Sequence, residues 1–228
     1  MSSTHSDLSS ETHILHSWQQ NADAWARTIR DGHIESRRLV TDGAIIQAIL
    51  DNRPGSVLDL GCGEGWLVRA LAAKGVRAIG VDAVPDLIAR AREAGGEFHV
   101  TSYEDIIAGR LQLRVDTLVC NFALLGNDSV ERLVASLPSL LTDDGRFIVQ
   151  TVHPLVACGQ QTYADGWRQE SWSGFGTAFP SPAPWYFRTL ANWVALFTNA
   201  GWHLREMREP LHPITGQPAS VIFVLQQR

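Results

Sequence analysis

Three glycines at alternate positions, Gly61, Gly63 and Gly65, separate the apolar run Val57-Leu58-Asp59-Leu60 from a helical pattern opening at Trp66-Leu67. A glycine-rich turn between a buried strand and a helix lets a ligand lie against bare backbone, with the amides of the helix N-terminus nearby. The spacing narrows the ligand. A dinucleotide-binding turn needs G-x-G-x-x-G, whereas here the third glycine comes one place early and Trp66 stands where the fingerprint has glycine. Asp59, two residues before Gly61, suits a cationic or amine-bearing end better than a pyrophosphate. Asp82 stands 21 residues after Gly61, at the end of a second apolar run, where a carboxylate can take both hydroxyls of a ribose.

These residues act together only if the chain brings them to one edge. From residue 56 onward strand and helix patterns alternate, with strands near 56–60, 77–82, 97–101, 115–120 and 146–152 and helices near 65–74, 85–94, 103–109 and 129–141. A helix over 190–200 and strands near 202–209 and 219–226 complete the series. The pattern predicts an α/β fold, a Rossmann-like doubly wound sheet of seven mainly parallel strands with an antiparallel last strand and helices on both faces. Ligands of such sheets lie beyond the C-terminal strand ends, where the strand order reverses.

Upstream, Ile14, Trp18, Ala22, Trp25 and Ile29 recur at helical spacing, and Thr41-Asp42 is an N-cap signal for Ala44, Ile45, Ala48 and Ile49. Residues 13–53 thus read as an N-terminal helical cap, residues 1–12 as a flexible tail, and 13–228 as a single domain. After the fifth strand the rhythm breaks over 153–188. Between Tyr163 and Phe187 lie eight aromatic residues, Trp172 and Phe175 among them, against three charged ones, Asp165, Arg168 and Glu170. Pro180, Pro182 and Pro184 argue against a regular helix or a central strand there. The segment reads as an aromatic insertion on the substrate side, a lid or binding loop.

With 228 residues, 45% of them hydrophobic, the chain can bury one sizeable core. A formal charge of -5 opposes a standing affinity for nucleic-acid backbone. Cys62, Cys120 and Cys158 are widely spaced without a C-x-x-C pair, so neither a disulfide framework nor a zinc site is expected, and a cytoplasmic setting fits. No apolar run approaches the roughly 18 residues of a membrane span. Nothing in the composition decides between a monomer and a homodimer.

Over residues 40–152 the chain resembles the class I S-adenosylmethionine-dependent methyltransferases, the glycine turn corresponding to their motif I. The resemblance implies S-adenosyl-L-methionine as cofactor and S-adenosyl-L-homocysteine as product. By that analogy Asp59, Gly61, Cys62 and Gly63 hold the methionine end, and Asp82 with Ala83 the ribose. Ser102, Tyr103 and Glu104 surround the adenine, Asn121 and Phe122 line the donor beside the sulfonium, and Trp25 approaches it from the N-terminal helix. Cys62 reads as packing, not as a nucleophile. The later part is similar to the bacterial small-molecule, quinone-biosynthesis-like group, through His153-Pro154, Tyr186-Phe187-Arg188-Thr189-Leu190 and Glu209-Pro210. It implies a substrate side formed by His153, Trp185, Tyr186 and Arg188.

Methyl transfer disperses the charge of a sulfonium, so alignment and exclusion of water carry the catalysis, worth about 7 to 11 kcal/mol when good. An aromatic lid with few charges suits that demand. For a hydroxyl acceptor His153 is the best-placed base, and Arg188 is placed to pair with an anionic group. The expected activity is O- or C-methylation of a small molecule. Asn121-Phe122-Ala123-Leu124 lacks the prolines of DNA amino-methyltransferases, and the glycine spacing opposes a nicotinamide dehydrogenase. A catechol-type enzyme needs an Asp/Asn metal cluster, and no convincing one is present, so no metal is expected, although Asp116 and Asn121 keep that class open. The remaining alternative is a donor-binding regulatory or scaffold protein without transfer activity, against which the aromatic segment speaks.

Overall fold

Strands form where short runs of Val, Leu and Ile are covered on both faces, and helices where apolar residues return every three or four positions. In the computed structural model, which describes residues 3–169 and 179–227, a long helix α1 (Ser3–Arg30) leads through a π-helical turn (Arg37–Thr41) to α2 (Asp42–Asp51). Next come β1 (Ser56–Leu60), α3 (Trp66–Ala72), β2 (Arg77–Asp82), α4 (Pro85–Glu93) and β3 (Glu97–Val100). They are followed by α5 (Tyr103–Ile107), β4 (Val115–Asn121), α6 (Asp128–Ser136) and β5 (Leu141–Thr151). The chain finishes with α7 (Pro154–Ala157), β6 (Gly166–Gln169), β7 (Pro184–Phe187), α8 (Leu190–Asn199), β8 (Trp202–Arg208) and β9 (Val221–Gln227).

Seven strands form one sheet in the order β3-β2-β1-β4-β5-β9-β8. β1 pairs in parallel with β2 on one side and β4 on the other, which puts the reversal of order at β1. β9 runs antiparallel to both β5 and β8, so the last strand alone opposes the rest. Alternation along the strands sends Leu58, Leu118 and Phe147 to one face, where they pack with Trp193, Phe197 and Trp202. Val57, Val119 and Ile148 go to the other, against Ile45 and Ile49 of α2. Trp202 is fully buried, and its indole N–H donates to the carbonyl of Val134 at 3.1 Å, so the largest core side chain leaves no polar atom unpaired.

Three boundaries differ most from the sequence reading. The segment read as a tail is helical from Ser3, and α1 is anchored by Glu11, whose carboxylate accepts from the Asn127 N–H at 2.6 Å and the Ser129 hydroxyl at 2.5 Å at the start of α6. Tertiary contact here overrides a composition with little helix preference. The helix expected to reach 141 stops at Ser136 and tightens into a 3-10 turn over Leu137–Leu140, because Pro138 has no N–H to continue it. β5 begins at Leu141, well before 146, because Val115 pairs with Leu141 while Thr117 pairs with Arg146, and the residues between bulge outward.

The insertion carries a small hairpin outside the main sheet, with Trp167 paired to Tyr186 and Arg168 to Trp185. Pro184 occupies the first position of β7, where a missing N–H costs least. Glu170, Trp172 and Phe175 of the aromatic run lie outside the described residues.

Candidate functional site

All three glycines of the turn after β1 adopt left-handed backbone, with φ of 78° at Gly61, 57° at Gly63 and 82° at Gly65. The turn folds back on β2, the N–H groups of Gly61 and Cys62 both donating to the Val81 carbonyl at 2.8 and 3.0 Å. Gly61 also needs its missing side chain. A Cβ there would lie 2.5 Å from the Cβ of Ala123, just beyond β4, and 3.3 Å from the Tyr103 hydroxyl.

Two carboxylates converge on this turn. Asp82, at the end of β2, accepts from the Gly63 N–H and the Val84 N–H, both at 2.9 Å, which ties the two loops together and leaves lone pairs on each oxygen. Burial raises its pKa, opposed by the N–H groups of Val84, Gly63 and Ala83. Asp59 is 2% exposed, and its Oδ1 is buried with no hydrogen-bond partner. Burial, reinforced by the neighbouring charge of Asp82, pushes its pKa up to about 7. An orphaned carboxylate oxygen beside a bare backbone turn is a seat for a cationic or N–H-bearing group.

The shift of Asp59 has a measurable consequence. Above about pH 4 the unfolded chain has released this proton while the fold retains it, so stability falls as pH rises to about 7 and is level beyond. Asp59→Asn removes that slope. The variant is expected to match wild type near pH 4 and to exceed it at pH 8 by up to about 4 kcal/mol in chemical denaturation. A difference between the two that does not grow with pH would refute the assignment.

Most of the expected donor residues meet at this edge. Trp25 of α1 packs edge-on against Trp18 at 5.0 Å, and its indole nitrogen stands 4.0 Å from where a Cβ of Gly63 would be, so α1 roofs the turn. Tyr103 donates its hydroxyl to the Ala123 carbonyl at 3.2 Å and stays protonated, since burial raises its pKa well above the usual value. The Cys62 thiol is also pushed up, by burial and then by Asp59 and Asp82, in keeping with packing. Asn121 ends β4 and Phe122 follows it at φ 55°, left-handed backbone that non-glycine residues adopt only where neighbours enforce it. Its N–H donates to the Gln150 carbonyl at 2.8 Å.

Other expected residues have hydrogen-bond partners within the protein. Ser102 is spent in a capping box at the start of α5, its hydroxyl and N–H both bonded to Asp105. Glu104 is exposed, in a two-pronged ion pair with Arg132 of α6 at 2.9 and 2.7 Å. Both ring nitrogens of His153 have partners within the protein. Its Nδ1 accepts from the Leu155 N–H at 3.3 Å, so the proton sits on Nε2, which donates to Glu209 at 2.7 Å. Arg188 is 3% exposed and holds the loop before α6 through the carbonyls of Gly126 and Asn127, at 2.8 and 3.0 Å.

Tyr186 reaches the site edge through its backbone, donating its N–H to the Leu125 carbonyl at 2.7 Å and seating the hairpin beside β4. Trp185 packs edge-on against Phe187, 5.9 Å away in the hairpin. Asp116 lies at the opposite end of the sheet, bonded to the N–H groups of Gly55 and Ser56. Among the described residues no group of His, Cys, Asp or Glu could hold a metal. Residues that sequence reasoning passed over are Gln150 and Ser220, buried and hydrogen-bonded to each other, with Gln150 also donating to the backbone carbonyl of Thr41, whose side chain makes no cap bond. The only signal for Gln150 and Ser220 is a polar residue at the edge of the apolar runs Phe147-Ile148-Val149-Gln150 and Ser220-Val221-Ile222-Phe223.

Residues 32–206 match the methyltransferase-domain family. A ubiquinone biosynthesis O-methyltransferase of Xylella fastidiosa (strain M23) is 33% identical over 107 residues, which are 44% of this chain and 43% of that protein. The chain thus matches under half the length of that relative. An S-adenosylmethionine-dependent methyltransferase of Clostridium acetobutylicum superposes with a TM-score of 0.61 at 10% identity, over 92% of this chain and 98% of that one. One from Mesorhizobium loti superposes at 0.56 with 19% identity, over 75% and 90%. At such identities these structures share the fold.

Proposed function

The chain belongs to the methyltransferase-domain family, and from that premise we propose that it transfers a methyl group from S-adenosylmethionine to a small-molecule acceptor, on oxygen or carbon. The observation that carries the reading is the buried, unpartnered oxygen of Asp59 beside the glycine turn, with Asp82 at the neighbouring strand end. This pair fits the proposed cofactor. A ligand with a cationic amine and a ribose answers both carboxylates, whereas a pyrophosphate would bring negative charge against them.

Bound there, S-adenosylmethionine supplies an electrophilic methyl group on a sulfonium. Asp59 would hold the cationic end and Asp82 the ribose hydroxyls, with Gly61 and Gly63 offering backbone at close approach. Tyr103 and Ala123 would wall the turn, and Trp25 with Trp18 would exclude water from above. A formal charge of -5 supports an acceptor other than nucleic acid. No helix among the described residues is long and apolar enough to cross a membrane.

Calorimetric titration tests the reading. S-adenosylmethionine and S-adenosylhomocysteine are expected to bind and NAD not to. Binding of NAD alone, or of none of the three, would overturn it, and release of S-adenosylhomocysteine only in the presence of an acceptor separates an enzyme from a passive binder.

A further inference from the structure

We propose that buried Gln150 orients Asn121 so that this side chain offers the acceptor a hydrogen-bond donor and no acceptor atom, which selects a phenolic or enolic oxygen over an amine. This rests on the methyl-transfer reading.

The chain of bonds starts at a group whose polarity is not in question. The backbone carbonyl of Thr41 can only accept, so the Gln150 amide atom 3.1 Å from it is the nitrogen. Gln150 Oε1 correspondingly accepts from the Ser220 hydroxyl at 3.0 Å. The second hydrogen on Gln150 Nε2 goes to Asn121 Oδ1 at 2.7 Å. Gln150 is 1% exposed and cannot turn to water for other partners. Rotating the Asn121 amide would set its NH2 against that of Gln150, at a cost of about 1–3 kcal/mol for unsatisfied buried groups.

Asn121 therefore turns its oxygen inward, and its Nδ2 donates to no described residue. The period of two along the strands puts Asp59, Val119 and Asn121 on one face of the sheet. Asn121 is two residues from Ala123, whose side chain abuts Gly61. Its free N–H groups thus lie at the rim of the proposed donor site. A donor there supports an oxygen nucleophile, whose lone pairs accept. An amine must instead place its own N–H groups on acceptors, and the Asn121 oxygen is already taken.

His153 narrows the choice further. With both ring nitrogens engaged, it favours an acidic hydroxyl that loses its proton without a base. In the transfer the acceptor oxygen gives a lone pair to the methyl carbon, the carbon–sulfur pair stays on sulfur, and the phenolic proton goes to water.

The test uses full-length 15N-labelled protein saturated with S-adenosylhomocysteine, whose binding is first checked by calorimetry. The Asn121 side-chain NH2 resonance, identified by its loss in Asn121→Asp, is followed while phenol and catechol, or aniline and benzylamine, are added. It is expected to shift with the phenols and not with the amines. In turnover with methyl-labelled donor the phenols should exceed the amines by about tenfold or more, and Asn121→Asp should lose that preference. Gln150→Met should lower kcat/KM for phenols about tenfold while S-adenosylhomocysteine affinity stays within about twofold.

If Gln150→Met does not fold, the Asn121→Asp arm still decides. Amines shifting the resonance as much as phenols, no shift with either, or equal turnover would overturn the proposal alone. Failure of S-adenosylhomocysteine to bind would overturn the methyl-transfer reading and this proposal with it.

Discussion

Asp82→Ala is expected to weaken S-adenosylmethionine binding by about 3 kcal/mol, a factor of about 100, with little change in thermal stability. The affinity loss follows from two charge-assisted hydrogen bonds to ribose hydroxyls, each worth about 1.5–3 kcal/mol in a site that water does not share. The small stability change follows from the raised pKa of this carboxylate, which reports that burial outweighs the N–H groups that hold it. Its removal unpairs the N–H groups of Gly63 and Val84 but also relieves the repulsion felt by Asp59. Asp82→Asn, which keeps shape and loses charge, should fall between. Titration of both variants by calorimetry, beside thermal melts, reads the two effects separately, and wild-type affinity in Asp82→Ala would remove this residue from the site.

The second large effect concerns Gly61. Any side chain there must accept left-handed backbone at φ 78° and fit a Cβ 2.5 Å from that of Ala123. Gly75 is its natural control, with φ 80° and nothing within 4 Å of an added Cβ. Gly75→Ala should cost about 1–2 kcal/mol, the strain of the conformation alone. Gly61→Ala should cost about 1–3 kcal/mol more from overpacking, and should abolish binding of S-adenosylmethionine while Gly75→Ala preserves it. Urea denaturation gives the stability difference. Equal costs for the two glycines, with binding intact in both, would show that the β4 end yields freely to the β1 turn.

The elements that position the site were legible because their signals are local. Val57 to Leu60, Arg77 to Asp82 and the glycines between them announce strand, turn and strand through residue type alone, and β1 and β2 have the expected bounds. Boundaries failed where a distant contact decided them. Glu11 bonds to residues more than a hundred positions away, which extends α1 through a stretch with no apolar period. The bulge opposite Asp116 lengthens β5 because pairing register is a property of two strands.

Side-chain roles divide along the same line. Backbone conformation and charge belong to the residue, so Gly61, Gly63, Asp59 and Asp82 could be picked out before any neighbour was known. Whether a polar side chain is available belongs to its partners. Glu104, Arg188 and His153 carry the right chemistry for a site, yet Arg132, the loop before α6 and Glu209 have claimed them. Gln150 shows the converse, a residue without reactive chemistry that the fold makes decisive by fixing which end of Asn121 faces outward. The amino-acid sequence by itself determined the strands, the glycine turn and the carboxylates beside it, through hydrophobic period and glycine placement. Only the tertiary structure decided which polar groups remain free there, because hydrogen-bond capacity is finite and is spent across elements far apart in the chain.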